Sequence, residues 1–182
     1  MLLTLVCLLM PLFLLSSCGS EEDGAPRLTK QTVPAPDQES WKSQVVITDN
    51  GRRVAEIWAG YIAVFNRENR TVLKDSIHVD FYNSLGKHKS VLTADEGIVS
   101  NTTNDLLARG HVVVTSDSGV VLKTTELTWK HQIQKIISNV PVVFTTATDT
   151  LMGDSFISDA DLRNYEIKNA RGFSHRNFKL PQ

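Results

Sequence analysis

An all-β domain behind a membrane-directed leader is the fold class this sequence predicts, on three observations. From Trp41 onward, short runs of β-branched and aromatic residues are broken by turn signals. No stretch after residue 40 carries the 3.6-residue apolar period of a helix. Where alternation is strictest, in "TELTWK", Leu127 and Trp129 share one face while Glu126, Thr128 and Lys130 share the other.

The leader comes first along the chain. Leu2 to Leu15, "LLTLVCLLMPLFLL", is interrupted only by Thr4 and Pro11. Its 14 residues fall short of the roughly 20 that span a bilayer as a helix. It reads as the apolar region of a signal peptide covering 1–17, although "MLL" lacks the usual Lys or Arg. The "LSSC" that follows, Leu15 to Cys18, is similar to a bacterial lipobox, in which the cysteine is acylated and the bond before it is cut. That makes Cys18 the lipidation site, with several acyl chains anchoring more firmly than one. A short signal-anchor with an incidental cysteine is the competing reading. Either way the folded part has no thiol, since Cys7 and Cys18 are the two cysteines of the chain. No disulfide or thiolate metal site is expected there.

Residues 18–40 read as the modified cysteine and a tether. "GSEEDGAPRLTKQTVPAPDQES" is rich in Pro, Gly, Ser and charge, with too few apolar residues to bury anything. Extended, some 20 residues would reach tens of ångströms from a membrane.

The β domain is placed at 41–174, with a tail at 175–182. "SQVVIT" runs into the turn Asp49-Asn50-Gly51, and "RVAEIWAGYIAVF" leaves it. Two further turns are expected at Asn83 to Gly86 and at Ser116 to Gly119. A repeat underlies this part: Leu92, Leu122 and Met152 stand 30 residues apart, each opening a segment that runs toward a turn. "LARG" at 107–110 and "NARG" at 169–172 close the first and last copies. Units of this size cannot bury a face alone and must stack. Leu92, Leu122 and Met152 are therefore expected on one continuous inner face.

"LTADEG" at 92–97, "GHVVVTSDSGVVLKTTELTW" at 110–129, "SNVPVVF" at 138–144 and the terminal "NARG", with "ITDNGRRVAEIWAGYI" upstream at 47–62, resemble in order and spacing the LptC family of lipopolysaccharide export, together with its LptA-like relatives. The resemblance covers about 41–174. It implies a twisted, open β-jelly roll of stacked antiparallel strands whose interior is an apolar groove for the acyl chains of lipopolysaccharide. It also implies partners: lipopolysaccharide itself, an inner-membrane ABC transporter that delivers it, and an LptA-like bridge protein that takes it onward. The place implied is the periplasmic side of the inner membrane. Well-known members of the family use an N-terminal transmembrane helix where this chain has the segment similar to a lipobox.

Groove candidates are Val112, Val114, Leu122, Leu127, Trp129, Val142, Phe144 and Ile157. Every β-sandwich buries such residues, so groove and plain core stay undivided at this level, and a structural lipoprotein with a closed core is the competing function. No cofactor and no catalytic residue are expected. "MGDSFIS" carries Gly153-Asp154-Ser155, reminiscent of an esterase nucleophile block, but nothing places a base beside Ser155. His78, His88, His111, His131 and His175 lack metal-ligand spacing. With 19 basic and 20 acidic residues and a net charge of -1, no single-sign field points to nucleic acid.

Overall fold

The computed structural model describes residues 34–174, and all of its regular structure is β. The signal segment, Cys18, most of the tether and the tail from 175 lie outside the described residues. Thirteen strands follow in order: β1 Gln38–Asp49, β2 Arg52–Phe65, β3 Arg70–Tyr82, β4 His88–Ala94, β5 Glu96–Ser100, β6 Leu106–Ser116, β7 Val121–Lys130, β8 Lys135–Ser138, β9 Val142–Thr145, β10 Asp149–Gly153, β11 Ser155–Asp159, β12 Tyr165–Lys168 and β13 Arg171–Ser174. Every pairing among them is antiparallel. β1 begins at Gln38, within the stretch read as tether.

The three turns form as their residues require. Asn50 and Gly51 both have positive φ, 49° and 76°, giving the two-residue hairpin whose twist suits the strands around it. Gly86 and Gly119 take φ of 74° and 82°, and their amides bond the Asn83 and Ser116 carbonyls at 2.8 and 2.9 Å.

One continuous ladder is folded along a corner into two half-sheets. β3 pairs with β4 through Ile77–Tyr82 but with β5 through Arg70–Leu73. β6 pairs with β4 through Val113–Ser116 and with β5 through Leu106–Arg109. β7 gives Val121–Thr124 to β9 and Thr128–Lys130 to β8. Between the two sets of pairings the backbone turns: the register shifts between Ala59 and Tyr61 and between Arg109 and Val112. Asp75, Ser76, Gly110, His111 and Asn169 all have positive φ. A Cβ on Gly60 would stand 2.6 Å from Asp75 Cβ, so the two strands cross the corner closer than any larger residue permits.

Ring contacts prove the folding over. Phe81 on β3 and Trp129 on β7 have centroids 5.2 Å apart. Along a flat ladder, three strand steps at about 4.8 Å each would hold them about 14 Å apart. They meet because the half-sheets face each other, which makes the all-β sandwich expected of a jelly roll. Opposite the corner, the strand ends form two facing lips. Turns at 50–51, 83–87 and 117–120 belong to one lip, and turns at 66–69, 101–105, 131–134 and 160–164 to the other.

The inner face of the first half-sheet carries one row across eight strands: Ile57, Val79, Leu92, Val114, Leu122, Phe144, Leu151 and Gly172. Here the repeat needs correction. Leu92 and Leu122 lie on this row, fully buried, but Met152 is 41% exposed and Leu151 holds the inner place. The corner explains the slip. Asp95, between β4 and β5, bonds through its amide to the carbonyls of Arg109 and Gly110, and Asp154, between β10 and β11, bonds to that of Lys168. The two corner aspartates are 59 residues apart, not 60. One residue fewer reverses which side chains face in.

Candidate functional site

The interior between the half-sheets is the candidate site. β6 supplies Val112 and Val114, β7 supplies Leu122, Leu127 and Trp129, and β9 supplies Val142 and Phe144, because inward positions recur every second residue on each side of the corner. All seven are buried in one cluster. Ile157 is not among them. It lies half-buried on the opposite face of β11, paired with Ile137 and Glu166, and its neighbour Phe156 takes the inward place. This is the same one-residue slip that displaces Met152.

Sequence reasoning missed Phe81, Phe156, Leu106 and Ile136, which complete the interior. On the second half-sheet, Thr71, Val99, Leu106, Trp129, Ile136 and Ser158 form a continuous row. Aromatic rings tie the two sides together. Besides the Phe81–Trp129 pair, Phe144 stands 5.4 Å from Phe156 and 4.3 Å from Tyr165. Tilted pairs of this kind add about 0.5–1.5 kcal/mol beyond area burial.

The polar groups that enter this space are mostly hydroxyls. Ser90 donates to the Ala160 carbonyl at 2.5 Å, and Ser138 to the Glu126 carbonyl at 3.0 Å. Trp129 Nε1 is buried without a hydrogen-bond partner among the described residues. Salt bridges stand at the periphery: Lys130–Asp105 at 2.8 Å, Arg109–Glu126 at 2.8 Å and Arg171–Asp154 at 3.6 Å. An apolar interior with hydroxyls and, among the described residues, no fully buried ion pair rewards hydrocarbon and penalises charge.

The charged motifs serve the scaffold. Asp154 Oδ2 accepts from the Asn169 side-chain amide at 2.7 Å, so the Gly153-Asp154-Ser155 string builds a corner. His111 bonds Asp95 across the other corner at 2.7 Å, and His131 stands 5.3 Å from Trp129 with its ring edge-on. His88 is clasped by Asp80 at 2.9 Å and Asp117 at 2.6 Å. Burial pulls its imidazole down, but hydrogen bonds and charge from the two carboxylates outweigh that and raise its pKa. Burial pushes the Asp105 carboxyl up, but bonds from Lys130 and the His131 amide prevail and hold it below the usual range.

Among the described residues no helix is long and apolar enough to cross a membrane. No curated protein matches the chain. A family model does: lipopolysaccharide-assembly, LptC-related, over residues 5–172. The match spans most of the sequence, and the chain, an antiparallel β sandwich with a largely apolar interior, thus belongs to the LptC-related family of lipopolysaccharide-assembly proteins.

Proposed function

We propose that, within the lipopolysaccharide transport its family serves, this chain is a relay that carries the lipid by its acyl chains between the half-sheets. It accepts lipopolysaccharide from the inner-membrane ABC transporter and passes it to an LptA-like periplasmic bridge protein. The observation that carries this reading is the interior itself, one inward row that is apolar from Ile57 on β2 to Leu151 on β10 and a second that is apolar from Val99 on β5 to Ile136 on β8. Each acyl methylene moved there from water gains about 0.8 kcal/mol. No chemical step is needed, and the chain's own residues bind, orient and exclude water.

The ends of the sandwich suit handover. β1 pairs only with β2 among the described residues, leaving a 12-residue edge with Trp41 64% exposed. At the other end β12 and β13 each have one partner strand among the described residues, and Phe173 is 71% exposed. Edges of this kind invite strand addition by a partner. We further assign residues 1–17 to a signal peptide, Cys18 to the lipidation site, the residues from 18 up to the start of β1 at Gln38 to the lipidated tether, the strands from Gln38 to residue 174 to the jelly-roll domain and 175–182 to a tail. The anchor keeps the domain on the periplasmic side of the inner membrane.

A second reading, a structural lipoprotein with a closed core, draws on the Phe81–Trp129 contact, which fills the interior. Photo-crosslinking separates the two. A photoreactive residue at Trp129, Leu127 or Phe144 is expected to capture lipopolysaccharide in cells in an ATP-dependent way, with none captured from Glu126 or Lys130. Equal capture from both faces, or none from the inner face of a folded protein, leaves the structural reading.

A further inference from the structure

We infer that the loop Asp159–Asn164 is a latch across the mouth of the sandwich, and that opening it admits the lipid from the side. This rests on the relay reading and concerns how the same interior is reached. The corner cannot be the entrance, since it is sewn by strand pairing on both sides. The mouth opposite it is different, because there the half-sheets meet through turns rather than ladders.

Side-chain hydrogen bonds that cross the mouth converge on this one loop. Lys89 Nζ on β4 reaches Asp161 Oδ2 at 3.0 Å, and next to it Ser90 Oγ donates to the Ala160 carbonyl at 2.5 Å. Between those anchors and the next strand, Leu162 turns inward, 1% exposed, and joins the core cluster. The loop is thus a plug held by two polar contacts. Asp159 shapes it from within: its carboxylate accepts the Arg163 amide at 3.0 Å and the Asn164 side-chain amide at 2.6 Å.

The closed form is held under tension. Leu162 adopts a φ of 58°, a conformation in which a branched side chain crowds its own backbone. Asp161 Oδ1 is buried without a hydrogen-bond partner among the described residues. Water or a sugar hydroxyl would satisfy that oxygen once the lips part. Beside the latch lies a pocket of about 280 Å³, bounded by Tyr82, Ser84 and Lys89 from one lip and Gln134 and Asp161 from the other. An acyl chain entering sideways meets this pocket first. Lifting Leu162 opens the core cluster it shares with Phe144 and Phe156, whose rings pair with that of Tyr165, the residue after the loop.

The experiment uses the full chain in cells with its transporter, a photoreactive residue at Phe144, and the pair Ser90→Cys, Ala160→Cys. The Ser90–Ala160 hydrogen bond brings these two positions together, and formation of the cross-link is checked by thiol titration before capture is measured. Oxidation is expected to cut lipid capture about tenfold, in proportion to the open fraction it removes, with reductant restoring it and single-cysteine variants unaffected. Asp161→Asn, which keeps the shape and weakens the hold on Lys89, is expected to raise capture about twofold in the unlocked protein. Undiminished capture with the pair oxidised overturns the latch while leaving the lipid reading in place. No capture in the reduced, folded protein removes the lipid reading and the latch with it.

Discussion

The strands up to β7 and those after it cross the same corner by different means. β2, β3, β6 and β7 run unbroken from one half-sheet into the other and absorb the bend in bulges and positive-φ residues, and before β8 the chain breaks at the corner at Asp95, between β4 and β5. After β7 the chain breaks at each crossing, giving β8 and β9, β10 and β11, and β12 and β13, each of four or five residues. A long strand fixes its inward face by many alternations, so a local irregularity is outvoted. A strand of four or five residues has no such redundancy. The difference teaches that stability and side-chain orientation are secured in the first part, whereas the second, which also bears the latch loop, is where the packing can be rearranged.

Four substitutions or titrations would break or sharpen this contrast. The largest effect is expected at Trp129, fully buried on a long strand against Phe81. Trp129→Ala should cost about 3–5 kcal/mol in denaturant unfolding, and a loss no larger than that of an exposed residue would deny the core its keystone. Next, Leu151→Ala should cost about 2 kcal/mol while its neighbour Met152→Ala stays within about 0.5 kcal/mol. The reverse order would restore Met152 to the inner row. Third, Gly110→Ala places a side chain at φ 72° with its Cβ 2.3 Å from Asp95 Oδ2. About 1–2 kcal/mol should be lost, and a neutral result would mean the corner is soft in the long strands too.

The smallest effect is a pH dependence at His88. Its folded pKa is raised, so the clasp on Asp80 and Asp117 is fully present below the ordinary histidine value of about 6.5 and is lost as pH rises through the folded value. Thermal melts should show a small stability loss on that rise, absent in His88→Gln. An identical profile in both proteins would show that the clasp contributes nothing.

Much of the first part was legible in the sequence. Asn50-Gly51 specifies its hairpin because few other residue pairs tolerate two positive φ values in succession. "TELTWK" gives its inward face because six residues alternate without interruption. The corner was not legible as such, since "GH" at 110–111 and "DS" at 75–76 read as ordinary polar spacing. The 30-residue period held from Leu92 to Leu122, with corners at Asp95 and Thr125. It failed at Asp154, one residue early, and that single deletion turned Met152 and Ile157 outward and Leu151 and Phe156 inward. The latch was invisible for another reason: its contacts join β4 to a loop some 70 residues later, through a lysine, a serine and a leucine of no distinctive pattern.

Phe156 and Ile157 are adjacent on one short strand, one facing the interior and the other the outer surface. Capture of lipopolysaccharide by a photoreactive residue at each, in cells with the transporter active and then depleted of ATP, tests the carrier interior most directly. The account predicts an ATP-dependent adduct at Phe156 and none at Ile157. An adduct at Ile157 with none at Phe156, in proteins that melt like the parent, would contradict it.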